Sequence, residues 1–166
     1  MALLKLHPRN KTLLRRDLSM VKPIETLKNR ALRLLARREH SRAELKAKLL
    51  PYDENDEVDT LLDHLQEKNW LSDNRFTEEW VRQRSIRYGR QRLQYELKQK
   101  GVAAELIESS LDAYSEDELE RARQVWQKKY GTPALTLQDK AKQMRFLQYR
   151  GYSWDIIRQI VEAEND

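Results

Sequence analysis

The strongest constraint on this chain is a stop that occurs twice. In "ELKQKGVAAELI" (96–107) and "FLQYRGYSWDII" (146–157), a basic helical pattern closes at a glycine and a new helical pattern begins at once. Glycine tolerates the left-handed turn that ends a helix, so Gly101 and Gly151 read as helix stops. The chain holds only four glycines and four prolines, and most of them fall at such boundaries. A sequence punctuated this way has room for short helices and little else.

The apolar residues agree. Pro23 can open a helix over 23–39, because its missing N–H is not needed at a first turn; Leu27, Ala31, Leu34 and Leu35 give that helix its apolar stripe. Ser41 and Glu44 have the spacing of a capping box ahead of Leu45 and Leu49, and Pro51 ends that segment. Val58, Leu61, Leu62 and Leu65 mark a third helix. Ser72 opens a fourth, with Phe76, Trp80 and Val81 inward and an end near Tyr88-Gly89. Leu93 and Leu97 mark the fifth; Leu106, Ile107 and Leu111 mark the sixth. Ser115 and Glu118 suggest another capping box before Leu119, Ala122, Val125 and Trp126. Thr136 can cap the helix carrying Met144 and Leu147, and Ser153 the one carrying Ile156, Ile157, Ile160 and Val161.

The expectation is an all-α protein of about nine helices and no strand, built as tandem three-helix repeats. Residues 23–71, 72–114 and 115–166 form the repeats, and 1–22 a basic N-terminal arm. Each repeat is small, so neighbours are expected to share apolar surface.

Charge is arranged in blocks. Residues 53–67 hold seven acids and no Lys or Arg; 80–102 hold seven bases and only Glu96; 103–120 hold seven acids and no base; 121–151 hold eight bases and only Asp139. Such blocks read as separate faces, with the basic ones turned toward a polyanion or an acidic protein. There is no cysteine, which excludes disulfides and thiolate metal sites and fits a reducing compartment. No apolar run approaches the roughly 20 residues of a membrane span, and the first residues do not read as a secretory signal, so a cytoplasmic location is expected.

Nothing asks for catalysis. His7, His40 and His64 share no metal-binding spacing and read as surface or half-buried residues. "DENDE" (53–57) lacks the glycine and the distal glutamate of a calcium loop and reads as the acidic first turn of a helix. There is no Gly-rich phosphate loop and no nucleophile constellation. Catalytic residues, cofactor and metal are all expected to be absent. Sequence-specific reading by a helix-turn-helix is also disfavoured: the third helix of the second repeat carries Glu105, Glu108 and Asp112 and no base, which would meet phosphate with repulsion.

The bases cluster instead on the first and middle helices of each repeat. Arg82, Arg84, Arg87, Arg90, Arg92, Lys98 and Lys100 span one junction; Lys128, Lys129, Lys140, Lys142, Arg145 and Arg150 span the equivalent one. Tyr88, Tyr130, Tyr149 and Tyr152 lie among them, as packing edges or as stacking platforms. Together they predict a repeated basic surface suited to a long polymeric partner, with the basic helix before each glycine exposed.

Four stretches carry a family resemblance: "ALRLLARREHSRAELKAKL" (31–49), "WLSDNRFTEEWVRQR" (70–84), "YGRQRLQYELKQKGV" (88–102) and "KQMRFLQYRGYSWDII" (142–157). The chain resembles the bacterial RecX regulatory proteins, which modulate the RecA recombinase. The resemblance implies a curved, elongated monomer of three-helix repeats that lies in the groove of the RecA–DNA filament. It implies inhibition of strand exchange, ATP hydrolysis and LexA-type coprotease activity, with some direct binding to single- and double-stranded DNA. A stand-alone nucleic-acid-binding regulator is the alternative reading. Arg87 and Arg90 stand where the family often has glycine and proline, and residues 1–22 match none of its motifs.

Overall fold

The computed structural model describes residues 26–163. Pro23 and the arm 1–22 lie outside the described residues. Among those described there are nine α-helices and no strand: α1 (Leu27–Leu35), α2 (Arg42–Leu49), α3 (Val58–Glu67), α4 (Asp73–Arg84), α5 (Arg90–Gln99), α6 (Ala104–Asp112), α7 (Glu118–Lys129), α8 (Leu137–Tyr149) and α9 (Trp154–Ala163). A 3-10 turn, Leu50–Tyr52, carries Pro51 after α2.

Most of the predicted caps form. Ser41, Ser72, Thr136 and Ser153 each accept a hydrogen bond from the backbone N–H three residues on, satisfying donors that a helix start leaves open. Two expectations change. Glu44 does not reach back to its own cap; its carboxylate pairs with Arg38 and Lys100 instead. No box forms at Ser115 and Glu118: Asp117 flanks α7 without a side-chain cap, and Ser115 Oγ donates to the Asp112 carbonyl. α4 also ends earlier than expected, at Arg84, whose carbonyl then accepts from the N–H groups of both Arg87 and Tyr88. His40 is buried, with Nδ1 3.0 Å from the Arg38 carbonyl, and burial pushes its pKa down.

Each set of three helices closes on its own core. Leu45, Leu49, Val58, Leu62 and Leu65 centre the first, Phe76, Val81, Leu93, Leu97 and Ile107 the second, and Trp126, Leu147, Tyr152, Ile157 and Ile160 the third. These cores are separate clusters, so the expected sharing of apolar surface is not the device that joins neighbours. The joints are polar because they are made of helix ends, whose open N–H and C=O groups need partners.

Both joints use the same parts. At the first, the end of α5 meets the start of α2: Ser41 Oγ donates to the Lys100 carbonyl (2.6 Å), and Arg42 N–H donates to Asp73 Oδ1 (2.7 Å). At the second, the end of α8 meets the start of α5: Gly89 N–H donates to the Arg150 carbonyl (2.9 Å), Gln91 N–H to the Gly151 carbonyl (3.1 Å), and Arg90 N–H to Glu118 Oε1 (2.7 Å). Asp73 and Glu118 are the first residues of α4 and α7. The opening acid of each following module therefore caps the middle helix of the module before it. Negative helix ends meet positive helix starts, which favours the dipoles as well.

The glycines of the doubled stop sit at these contacts. Gly101 has φ 71° and Gly151 φ 84°, where a Cβ would be strained. A Cβ on Gly101 would lie 2.5 Å from Ala43 Cβ, and one on Gly151 would lie 2.4 Å from the backbone nitrogen of Arg92. The stop repeats because each glycine lets one middle helix abut the next.

Candidate docking surface

The thirteen residues singled out from the sequence fall into two groups. Arg84, Arg90, Arg92, Lys100 and Lys142 are engaged by the protein's own carboxylates. Arg84 Nε and Arg92 Nε donate to the two oxygens of Glu96 at 2.6 and 2.9 Å. Arg90 bridges Glu108 (2.5 Å) and Asp112 (2.8 Å), Lys100 reaches Glu44 (3.2 Å), and Lys142 reaches Asp139 (3.1 Å). Lys140 likewise lies 3.8 Å from Glu162. The acidic block 103–120 is thus partly an internal counter-charge: α6 packs beside α5 and supplies Glu108 and Asp112 to Arg90. The expectation that the basic helix before each glycine presents an open cationic face fails for these side chains.

The aromatics among them are also committed. Arg84 lies over Tyr88 (4.6 Å) and Trp80 (5.1 Å), Arg150 over Phe146 (4.6 Å) and Tyr88 (5.7 Å), and Lys100 over Trp80 (5.2 Å). This run of stacked cations and rings crosses the second joint between Arg150 and Tyr88, and Lys100 carries it to the edge of the first. Tyr152 is buried, and burial, aided by the Glu118 carboxylate, pushes its pKa up to about 12. Tyr130 meets Phe146 edge-on at 5.4 Å. Tyr149 stays largely exposed, with Arg92 5.8 Å from its ring.

Glu96 is the hub of this arrangement. Burial pushes its carboxyl up, but the hydrogen bonds from Arg84 and Arg92 outweigh that and hold it below the usual range. Glu96→Gln leaves the half-buried Arg84 guanidinium without its counter-charge. The expected loss is about 2 kcal/mol, read from the urea midpoint of the variant against the parent.

The remaining bases, Arg82, Arg87, Lys98, Lys128, Lys129 and Arg145, form no ion pair with another described residue, and Arg150 gives its Nη1 to the Arg87 carbonyl (3.0 Å). Arg82 stands apart from the others, in a cleft it shares with Glu39, Glu78 and Glu79. Lys98 and Arg145 are exposed and isolated on α5 and α8. Arg87, Lys128, Lys129 and Arg150 converge: they line one groove of about 550 Å³ at the second joint, and no carboxylate lines it with them. Three helix C-termini lead into it, those of α4, α7 and α8. Cations are favoured at such ends, which explains why each base sits where it does, though not why four meet without a counter-charge.

The groove also holds apolar residues that the sequence reading passed over. Ile86 is 65% exposed and lies beside Val125 and Phe146. Its signal was legible: it is a large aliphatic among charges, past the stripe that Phe76 and Val81 bury.

No helix among the described residues is long and apolar enough to cross a membrane, and no cluster of potential metal ligands occurs among them. Family models for the first, second and third three-helix domains of RecX match residues 28–65, 72–111 and 116–161. The regulatory protein RecX of Leptothrix cholodnii is 43% identical over 141 residues, covering 84% of this chain and 90% of that protein. RecX of Ralstonia pickettii is 42% identical over 142 residues, covering 85% and 89%. A crystal structure of RecX from Lactobacillus salivarius has the same fold, with a TM-score of 0.72 at 22% identity over 86% of this chain and 96% of that one.

Proposed function

Because this chain belongs to the RecX family of regulatory proteins, we propose that it docks as a monomer on the RecA–DNA filament and lowers RecA's recombinase, ATP-hydrolysing and coprotease activities. It acts on RecA's chemistry without catalysis or a cofactor of its own. The observation that carries this reading is the carboxylate-free groove of Arg87, Lys128, Lys129 and Arg150 at the second joint. Four unopposed cations raise the local concentration of an anionic assembly and orient it. The modules 23–71, 72–114 and 115–166 then follow successive repeats of the filament. Bridging neighbouring protomers would resist the motions that accompany ATP turnover and block entry of a second DNA.

The informative charge reversals are Arg87→Glu, Lys128→Glu and Lys129→Glu. Arg90, Arg92 and Lys100 hold internal ion pairs, and reversing them would injure the fold as well as the surface. The triple variant at 87, 128 and 129 is expected to keep its helicity and to lose filament binding roughly tenfold or more. Titration on bare DNA and on RecA-coated DNA checks this. Equal binding to both, with a log–log salt slope of about −4 for four neutralised duplex phosphates, would favour a stand-alone nucleic-acid-binding regulator instead.

A further inference from the structure

The groove at the second joint is cationic, but it is not built like a nucleic-acid site. Single strands are held by phosphates on bases of the protein and by nucleobases stacked on open aromatic faces. Here the one ring that lines the groove, Phe146, is taken. Arg150 lies over Phe146, Tyr130 meets the same ring edge-on, and Arg84 covers Tyr88. What the groove leaves open is aliphatic: Ile86, 65% exposed, beside Val125. A phosphate backbone gains nothing from that surface, whereas burying an isoleucine against another apolar side chain is strongly favourable. Carboxylates, in turn, are the natural partners of Arg87, Lys128 and Lys129, which carry no internal counter-charge.

We infer that this groove binds an acidic protein segment carrying a large apolar side chain, with its carboxylates on Arg87, Lys128 and Lys129 and its apolar anchor on Ile86 and Val125. The inference rests on the reading of this groove as the filament-docking surface, and assigns it to the protein part of that assembly.

The test uses the full chain and two labelled probes: a short peptide of glutamates around a Leu-Phe pair, and an oligothymidylate of matched charge. Fluorescence anisotropy is read for the parent, for Ile86→Ser and for Lys128→Glu/Lys129→Glu. All substituted side chains are exposed, so the fold is not at stake. The expected result is peptide binding that Ile86→Ser weakens about fivefold or more and the double reversal abolishes. A peptide with Ser-Ser in place of Leu-Phe should bind about as weakly as the Ile86→Ser case. Displacement of the peptide by oligothymidylate, or indifference of peptide binding to Ile86→Ser, would overturn the inference and hand the groove to phosphates. That failure is distinct from failure of the docking reading, which would show as unchanged binding of the double reversal to RecA-coated DNA.

Discussion

Replacing Gly151 with alanine is expected to destabilise the protein by roughly 3–5 kcal/mol and to dismantle the second joint. Three effects act together. The residue sits at φ 84°, where a side chain costs about 1–2 kcal/mol. Its new Cβ would lie 2.4 Å from the Arg92 nitrogen and 2.5 Å from Arg92 Cβ. The first of these is backbone within α5 and cannot swing aside. Relieving the clash means moving α8 off the start of α5, which breaks the hydrogen bonds from Gly89 and Gln91, each worth about 1 kcal/mol. Gly131→Ala is the control. Gly131 also has a positive φ, 69°, but its Cβ would meet only the Gln127 carbonyl, at 3.2 Å. There the expected loss is about 1 kcal/mol. Urea unfolding ranks the two variants; equal midpoints would contradict the joint as described. Arg87 reaches the groove from one side of this joint and Lys128 and Lys129 from the other, so on the proposed docking function Gly151→Ala should also abolish filament inhibition.

Acid is expected to loosen the first joint before it unfolds the cores. Glu44 accepts hydrogen bonds from Arg38 (2.7 Å) and Lys100 (3.2 Å), and its side chain is only 12% exposed. The Arg38 guanidinium, seconded by Lys100 and opposed by burial, brings its pKa from 4.5 down to about 2. A carboxyl held below its unfolded value stabilises the fold fully at pH above that unfolded value. The contribution fades as pH falls from about 4.5 toward 2. Complete ionisation corresponds to about 3 kcal/mol, reduced to roughly 2 because Arg38 is half in solvent. Glu44→Gln should cost about that much at neutral pH and flatten the stability profile across the acid window. A parent profile already flat between pH 5 and 2 would rule the arrangement out. Glu96, also held low, contributes in the same direction.

The helices were legible because their apolar residues keep helical spacing, and the two glycine stops because a left-handed residue is needed after Lys100 and after Arg150. The joints were not. Asp73 and Glu118 look like ordinary acids in a first turn, and nothing local says that their carboxylates serve Arg42 and Arg90, 31 and 28 residues away. The charge blocks misled for a similar reason. A basic α5 followed by an acidic α6 reads as two faces, yet a hairpin of the two helices lets Arg90 and Glu108 cancel. What survives that cancellation is set by packing: Lys128 and Lys129 stay free because no acid is folded back onto the end of α7.

The separate cores, joined through helix ends and the polar side chains beside them, carry one more consequence. Bending at a link strains the hydrogen bonds, ion pairs and cation–ring contacts that span it but opens no buried apolar cluster, whereas bending inside a triplet would open one. A body linked this way has its softest points at the two links, so distortion is expected to gather there and leave the inside of each triplet unchanged.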